Sequence, residues 1–524
     1  MEMLQFTLLE YSMKPKVLVV ALSAAFLSAP TISGPILPTN LPALSAFTPG
    51  DLVVSTVSLQ PSATAVNHGL DTASPITLSE LNIGAGGTTA TEVAQLTLPA
   101  AVSGEYGSAS EGVLQLSANG RFLTIMGYGV NADTFNTASL SKYGTGALGQ
   151  TTSLTGTSAT TVPRVVALIS AFGNVDTTTA LTGVFNTNNP RSAATVDGSA
   201  FYVSGQGVTG DGTGGLFYAT KGATTATAIN ASTTTPSGNP NGTVNPLVGT
   251  ETRVVEIVNG AVGPMLYVSR DFGAKGSPND TTDIRSFTNA MGSLPTSASG
   301  LVANRVIPGN TNSSGGNTGS IDVTNATDNV VNHSRNGQAP GHSGNTFVYL
   351  SPEEFFFANP YTLYIADSGS PKNGANAAGL GDGGLQKWVN SNADGSGTWT
   401  LEYDMFNGLN LTAQSNAGTD PRAPGVTGLF GLTGEVVGDQ VELFATSYGL
   451  NELSTSYLYE ITDQISNTSY TVGHAEQFNI LFQAPTGTLI RGVAFAPVPE
   501  PATAALLSIG LAGLAASRRR LPRG

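Results

Sequence analysis

The chain has 524 residues with a formal net charge of −14, four histidines and no cysteine; only 11% of its residues are charged while 40% are hydrophobic. Such a chain is too apolar to stay disordered, yet its charge content is well below the roughly 25% of an ordinary globular domain. The acidity argues against nucleic acid as a partner, because phosphate neutralisation needs clustered Lys and Arg, and the lack of Cys removes disulfides, thiol nucleophiles and thiolate metal sites.

At the N-terminus Lys14 and Lys16 precede the apolar stretch Val17 to Ala29, followed by small residues and prolines. That is the order of a secretory signal peptide. Glu2 and Glu10 are out of place before such a segment, so Met13 is the start that the pattern favours. Residues 1–46 are therefore read as an extension plus a signal helix, cleaved somewhere between Ser28 and Ala46.

Residues 47–497 are rich in Thr, Val, Tyr and Phe with frequent Gly and Asn, the composition of sheet and tight turns. Long amphipathic helical patterns are absent between 50 and 498. Asp51–Val57 is a first apolar strand. Leu116–Met126 then reads as strand, Asn119-Gly120 turn and strand. Asn-Gly and Asp-Gly accept the positive φ that hairpin turns need. After the apolar strand Arg164–Ser170, this grammar returns at Ala194–Val203 around Asp197-Gly198, at Glu256–Val268 around Asn259-Gly260, in altered form from Val348 to Ala366, and at Glu435–Ala445 around Gly438. Short aromatic strands follow at Gly214–Ala219, Gly384–Trp388 and Ser456–Ile461.

These read as four-stranded units of an all-β propeller, expected to be seven-bladed. The spacing of Gly120, Gly198 and Gly260, 78 and then 62 residues, requires long loops, supplied by Thr/Gly/Asn-rich inserts at 207–250 and 309–345. Arg491–Ala496 is a last strand with Asp51–Val57 as its candidate partner, a pairing that closes the ring and removes exposed edges. A β-helix or a stack of sandwiches is the competing architecture; a β-helix would need a short regular rung period, and none is present.

No catalytic, cofactor or metal residue emerges from the motifs. His68, His333, His342 and His474 show no metal spacing. Gly341–Gly344 lacks the strand and helix of a nucleophile elbow, and Gly205–Gly210 lacks the Lys of a phosphate loop. The loops around Asp382 and Asp394 carry too few carboxylates in register for calcium and read as turns. The Asn230-Ala-Ser232 sequon is expected by chance in so Asn-rich a chain. Asp197, Asp271 and Asp367 lie in or beside the repeat strands, and their convergence at one end of a central channel would hold calcium for hydrolysis.

Residues 498–524 end the chain in three parts. Pro499, Glu500 and Pro501 enforce extended backbone; the uncharged run Ala502 to Ala516 would make a helix of about 22 Å; Arg518, Arg519 and Arg520 follow. Val-Pro-Glu-Pro, a small-residue apolar helix and terminal arginines resemble the PEP-CTERM sorting signal of Gram-negative bacteria. The resemblance implies a transmembrane sorting helix, processing by the membrane protease exosortase, and export to the cell surface or beyond. It also implies a body of the secreted propeller type, a non-enzymatic surface, matrix or biofilm protein that binds polysaccharide or other proteins. An extracellular calcium-dependent phosphoesterase or lactonase is the alternative. Loss of both ends would leave 15 basic and 32 acidic residues, a formal charge of −17.

Overall fold

The computed structural model describes residues 41–60, 70–84, 87–108, 110–208, 210–231, 252–260, 263–270, 283–306, 320–322, 347–349, 351–369, 383–393, 395–411, 425–449, 453–473 and 475–499. The signal helix and the C-terminal helix expected from the sequence lie outside them, as do Glu500, Pro501 and Arg518 to Arg520. Among the described residues no helix is long and apolar enough to cross a membrane.

Strands dominate. β1 (Leu52–Ser58), β2 (Ala73–Ile83), β3 (Ala90–Thr97), β4 (Ser103–Glu105), β5 (Gln115–Leu116), β6 (Phe122–Tyr128), β7 (Arg164–Ser170) and β8 (Val175–Leu181) share one sheet. Four-stranded meanders follow: β9 (Pro190–Ala194), β10 (Ala200–Gly205), β11 (Gly215–Thr220) and β12 (Thr227–Ala231), then β13 (Thr252–Gly260), β14 (Gly263–Arg270), β15 (Asp283–Thr288) and β16 (Val302–Arg305). β17 (Ser320–Asp322) and β18 (Phe347–Tyr349) form a two-stranded pair. Two more meanders are β19 (Pro352–Asn359), β20 (Thr362–Asp367), β21 (Gly384–Asn390) and β22 (Trp399–Met405), and β23 (Val426–Val437), β24 (Gln440–Gly449), β25 (Tyr457–Gln464) and β26 (Asn479–Gln483). The last strand, β27 (Thr488–Phe495), returns to the first sheet. The described helices are short: α1 (Ala132–Asn136), capped by the Asn131 side chain accepting from the Thr134 amide at 2.8 Å, α2 (Leu140–Tyr143) and α3 (Tyr470–Gly473).

Hairpin turns form at Gly120, Gly198 and Gly438 as expected, whereas Asn259 and Gly260 lie within β13, opposite Pro264 and Gly263, and Val348 lies in β18, paired with β17 and not with the β19–β20 hairpin. Gly120 and Gly198 hold φ of +72° and +83°, left-handed values that any residue with a Cβ would resist. β27 pairs antiparallel with β1, from Leu52 opposite Phe495 to Ser58 opposite Thr488, with a register shift between Val54 and Thr56. This is the closing pair expected from Asp51–Val57 and Arg491–Ala496, and it gives both strands a partner.

Apolar side chains pack between successive sheets. Met126, Val166, Phe201, Val203 and Phe217 fill one seam, and Tyr364, Leu385, Tyr403, Leu429 and Leu443 another. The innermost strands lie side by side in turn: β5 against β9, β9 against β13, β13 against β19, β19 against β23, β23 against β27, and β27 against β5. The arrangement is propeller-like.

Among the described residues the seven blades expected from the sequence are not found. Four four-stranded sheets stand as separate blades, and the nine-stranded sheet carries two further runs, β27-β1-β2-β3 and β5-β6-β7-β8. Those two runs are one sheet for a local reason: β2, eleven residues long, pairs β3 along one half and β4 at Ala73–Pro75, and β4 meets β6. Gly127 allows that contact, since a Cβ there would stand 2.7 Å from the Ser103 carbonyl oxygen. Repeat grammar cannot register such a weld.

Candidate functional site

The Asp197-Gly198 hairpin, which opens β10, forms one wall of a cleft of about 430 Å³ between the β9–β12 and β13–β16 sheets. Val196, Asp197, Ser199, Tyr202 and Tyr218 line one side; Pro264 and the loop Gly292–Thr296 line the other. Tyr202 and Tyr218 are cross-strand partners in β10 and β11, with ring centroids 5.4 Å apart. Tyr202 is buried and packs against the half-buried Tyr218, the more exposed of the two rings that line the cleft. Burial pushes the Tyr202 hydroxyl well above its usual range, so it stays protonated.

Both walls are braced from within. Asp197 accepts the Ser199 amide at 3.0 Å and the Ser199 hydroxyl at 2.6 Å, both on Oδ1. The hydroxyl first, and then the amide, hold this exposed carboxyl below its usual range, so it is charged at neutral pH. Across the cleft, Asn289 Oδ1 accepts the amides of Met291 and Ser293 at 2.9 and 3.0 Å, which fixes the loop. The cleft thus offers an aromatic face, apolar patches from Pro264 and Leu294, the Ser199 and Ser293 hydroxyls, and one fixed negative charge. These complement a ligand with apolar CH faces and many hydroxyls.

A second polar assembly lies on the innermost strands. Glu354 of β19 accepts Gln115 Nε2 of β5 at 2.5 Å and the Leu432 amide of β23 at 2.7 Å. Arg253 of β13 pairs with Glu353 of β19, both buried. Glu256, also of β13, keeps its Oε2 sealed from solvent without a hydrogen-bond partner, and desolvation pushes its pKa up to about 8. Desolvation raises Glu354 well above the ordinary carboxyl range, and the Glu256 charge adds to the rise. Val113, Val254 and Phe430 pack beside them with Tyr448. This assembly ties β5, β13, β19 and β23 together by buried hydrogen bonds.

A third cluster is structural as well. Tyr128 donates to Glu111, and Glu105 accepts the Gly149 amide at 3.1 Å. The Arg164 guanidinium lies 4.6 Å from the Tyr128 ring and spends its donors on the carbonyls of Val162, Thr151, Phe185 and Asn188 at 2.8 to 3.2 Å.

Of the residues singled out in the sequence, Asp197 lines the cleft. Asp367 is buried at the far end of β20 from the β19–β20 hairpin and is consumed by the Ser351 and Gly369 amides at 3.2 and 2.8 Å and Gln386 Nε2 at 2.7 Å. Asp197 sits in a hairpin turn, so the two carboxylates do not converge. Asp271, Asp382, Asp394 and all four histidines lie outside the described residues. In the Asn392–Gly397 loop, Asn390 Oδ1 takes the amides of Asn392 and Gly397, as a turn would. Asn230 of the sequon is buried. Among the described residues no group of three or more His, Asp or Glu side chains is placed to hold a metal ion. The cleft tyrosines and Glu256 and Glu354 escaped the sequence reading; the one available signal was the aromatic content of the third strand.

Three solved structures illustrate the likeness of the body. A GH74 enzyme from Niastella koreensis is 12% identical, over 84% of this chain and 47% of that one, at a TM-score of 0.34. The major Malassezia sympodialis allergen Mala s 1 is 11% identical over 44% of this chain and 54% of that one, at 0.24. A GH43_1 enzyme from Xanthomonas citri is 10% identical over 72% and 86%, at 0.27. The chain spans about half the length of the first two, and likeness at this level has no bearing on activity. No curated protein matches the sequence. The PEP-CTERM protein-sorting motif matches residues 497–520, a stretch that holds Pro499, Glu500, Pro501, Arg518, Arg519 and Arg520. The motif implies sorting by exosortase, a membrane protease, and export to the envelope or surface of a Gram-negative cell: the chain is a PEP-CTERM protein with a propeller-like all-β body.

Proposed function

We propose that this is a non-enzymatic protein of the cell surface or extracellular matrix whose body binds polysaccharide through the cleft between the β9–β12 and β13–β16 sheets. The cleft carries the reading: Tyr218 backed by Tyr202, with Asp197 and the Ser199 and Ser293 hydroxyls around them, is the chemistry that stacks on and hydrogen-bonds to a sugar. The strong negative charge of the body disfavours anionic polymers, so neutral or amino-sugar chains are the fitting class. In the same reading the N-terminal segment is a signal peptide, and Pro499, Glu500, Pro501 and the three arginines are the sorting signal.

Affinity electrophoresis of the body in gels containing a neutral β-glucan, chitosan or alginate tests this. Retardation by the glucan or chitosan and not by alginate, weakened about tenfold in Tyr218→Ala, is expected. Equal migration in all gels would end the reading. The alternative of a calcium-dependent hydrolase needs carboxylates gathered at one site, and Asp197 and Asp367 stand apart.

A further inference from the structure

The first residues of the sorting motif belong physically to the body. β27 ends at Phe495, but the chain does not leave there. Ala496 and Pro497 are buried, and the Ala496 amide donates to the Asp51 carbonyl at 2.9 Å. The Val498 amide donates to the Gly120 carbonyl at 2.8 Å, and Val498 Cγ2 stands 3.8 Å from where a Cβ on Gly120 would be.

The Gly120 turn is a firm anchor. Its amide donates to the Ser117 carbonyl at 2.7 Å, Ser117 Oγ accepts the amides of Arg121 and Phe122 at 3.0 Å, and Ala118 and Asn119 donate to Thr195 and Val196 at 3.0 Å. The motif match begins at residue 497, so its first residue is buried in the body and its second is held on the β5–β6 turn.

A protease must draw several residues of extended backbone into its site, and it reaches hydrogen-bonded, buried backbone only after local unfolding. Releasing Ala496 to Val498 means losing two backbone hydrogen bonds and exposing Ala496 and Pro497, next to the strand that closes the ring.

We propose that the contact of Val498 with Gly120 is a built-in stop that fixes where the C-terminal end is processed: the sorting protease cuts no peptide bond of the body before Val498–Pro499. The scissile bond lies at Val498–Pro499 or C-terminal to it. Hydrolysis there consumes one water, leaving a carboxylate on the body and an amine on the departing segment, while β27 stays paired with β1. The sorted body therefore keeps its closed ring. This rests on exosortase processing of the motif, and the experiment separates the two.

The full chain, solubilised in detergent, is digested with proteinase K, and the mass of the resistant body gives its new C-terminus; the C-terminus of the exported protein from its own host is read in parallel. Resistance through Val498 and a host C-terminus at Val498 or beyond, with the arginines gone, are the expected results. Trimming by proteinase K to Phe495 or shorter, or a host C-terminus at Pro497 or earlier, overturns the stop. An uncut tail in the host overturns exosortase processing instead, and the digest still decides whether the stop exists.

Discussion

Lys387 of β21 and Asp463 of β25 form an ion pair, Nζ to Oδ2 at 2.9 Å, with both side chains wholly buried. The pair bridges two neighbouring blades. Lys387 also donates to the Tyr403 hydroxyl at 2.9 Å and to the carbonyls of Gln464 and Asn467 at 2.8 Å, while Tyr364 and Tyr403 donate to Asp463 at 2.5 and 2.8 Å. Removing one partner strands the other charge away from water. Lys387→Ala is expected to cost about 3–5 kcal/mol, measured by urea unfolding. A loss under about 1 kcal/mol would show that the pair is not sealed.

Glu256 sets a pH dependence. Its pKa is pushed up to about 8 from 4.5. Between these values the folded chain holds a proton that the unfolded chain has released, so this contribution to stability is whole below about pH 4.5 and is lost as the pH rises through about 8. Glu256→Gln stays neutral throughout. It should match the wild type near pH 5 and exceed it at pH 8.5 by about 1–3 kcal/mol, less than the full shift implies because the residue is partly exposed. Thermal melts at the two pH values check this; parallel pH profiles for the two proteins would contradict it.

Gly198 shapes the cleft. At φ +83° it is in the left-handed region, and a Cβ would sit 3.1 Å from Leu168 Cδ2 and 3.3 Å from Phe122 Cε2. Gly198→Val should lower stability by about 1–3 kcal/mol and displace Asp197. Calorimetric unfolding beside a glycan-binding assay reads both, and an unchanged melt with unchanged binding would refute the claim.

Ring closure should be indispensable. A chain ending at Gln483 lacks β27 and leaves β1 with an open edge over the apolar side chains of Val53 and Val57. It is expected to aggregate or to lose its cooperative melt, followed by circular dichroism and light scattering. A soluble product with the parental melting temperature would show that the closing pair is dispensable.

Much of the fold is legible in local chemistry. Asn119-Gly120, Asp197-Gly198 and Gly438 each mark a hairpin because the positive φ demands those residues, and the apolar strands at Asp51 and Arg491 foretell their own pairing. The number of blades is not legible, since β2 divides between two partners and the pairing of β4 with β6 depends on how closely backbones approach at Gly127. The site is less legible still. Tyr202 and Tyr218 meet only through the β10–β11 register, and the opposite wall comes from a loop about 90 residues on. Glu256 and Glu354 sit on strands whose alternation looks like a solvated face; only the neighbouring inner strands, distant in sequence, cover them.

Hydrogen–deuterium exchange on the exported body, with and without a neutral β-glucan or chitosan oligomer, tests the proposed glycan cleft most directly. Slowed exchange confined to residues 196–202, 217–219, 263–265 and 291–296 is the predicted result. Protection elsewhere with none at these segments would contradict it.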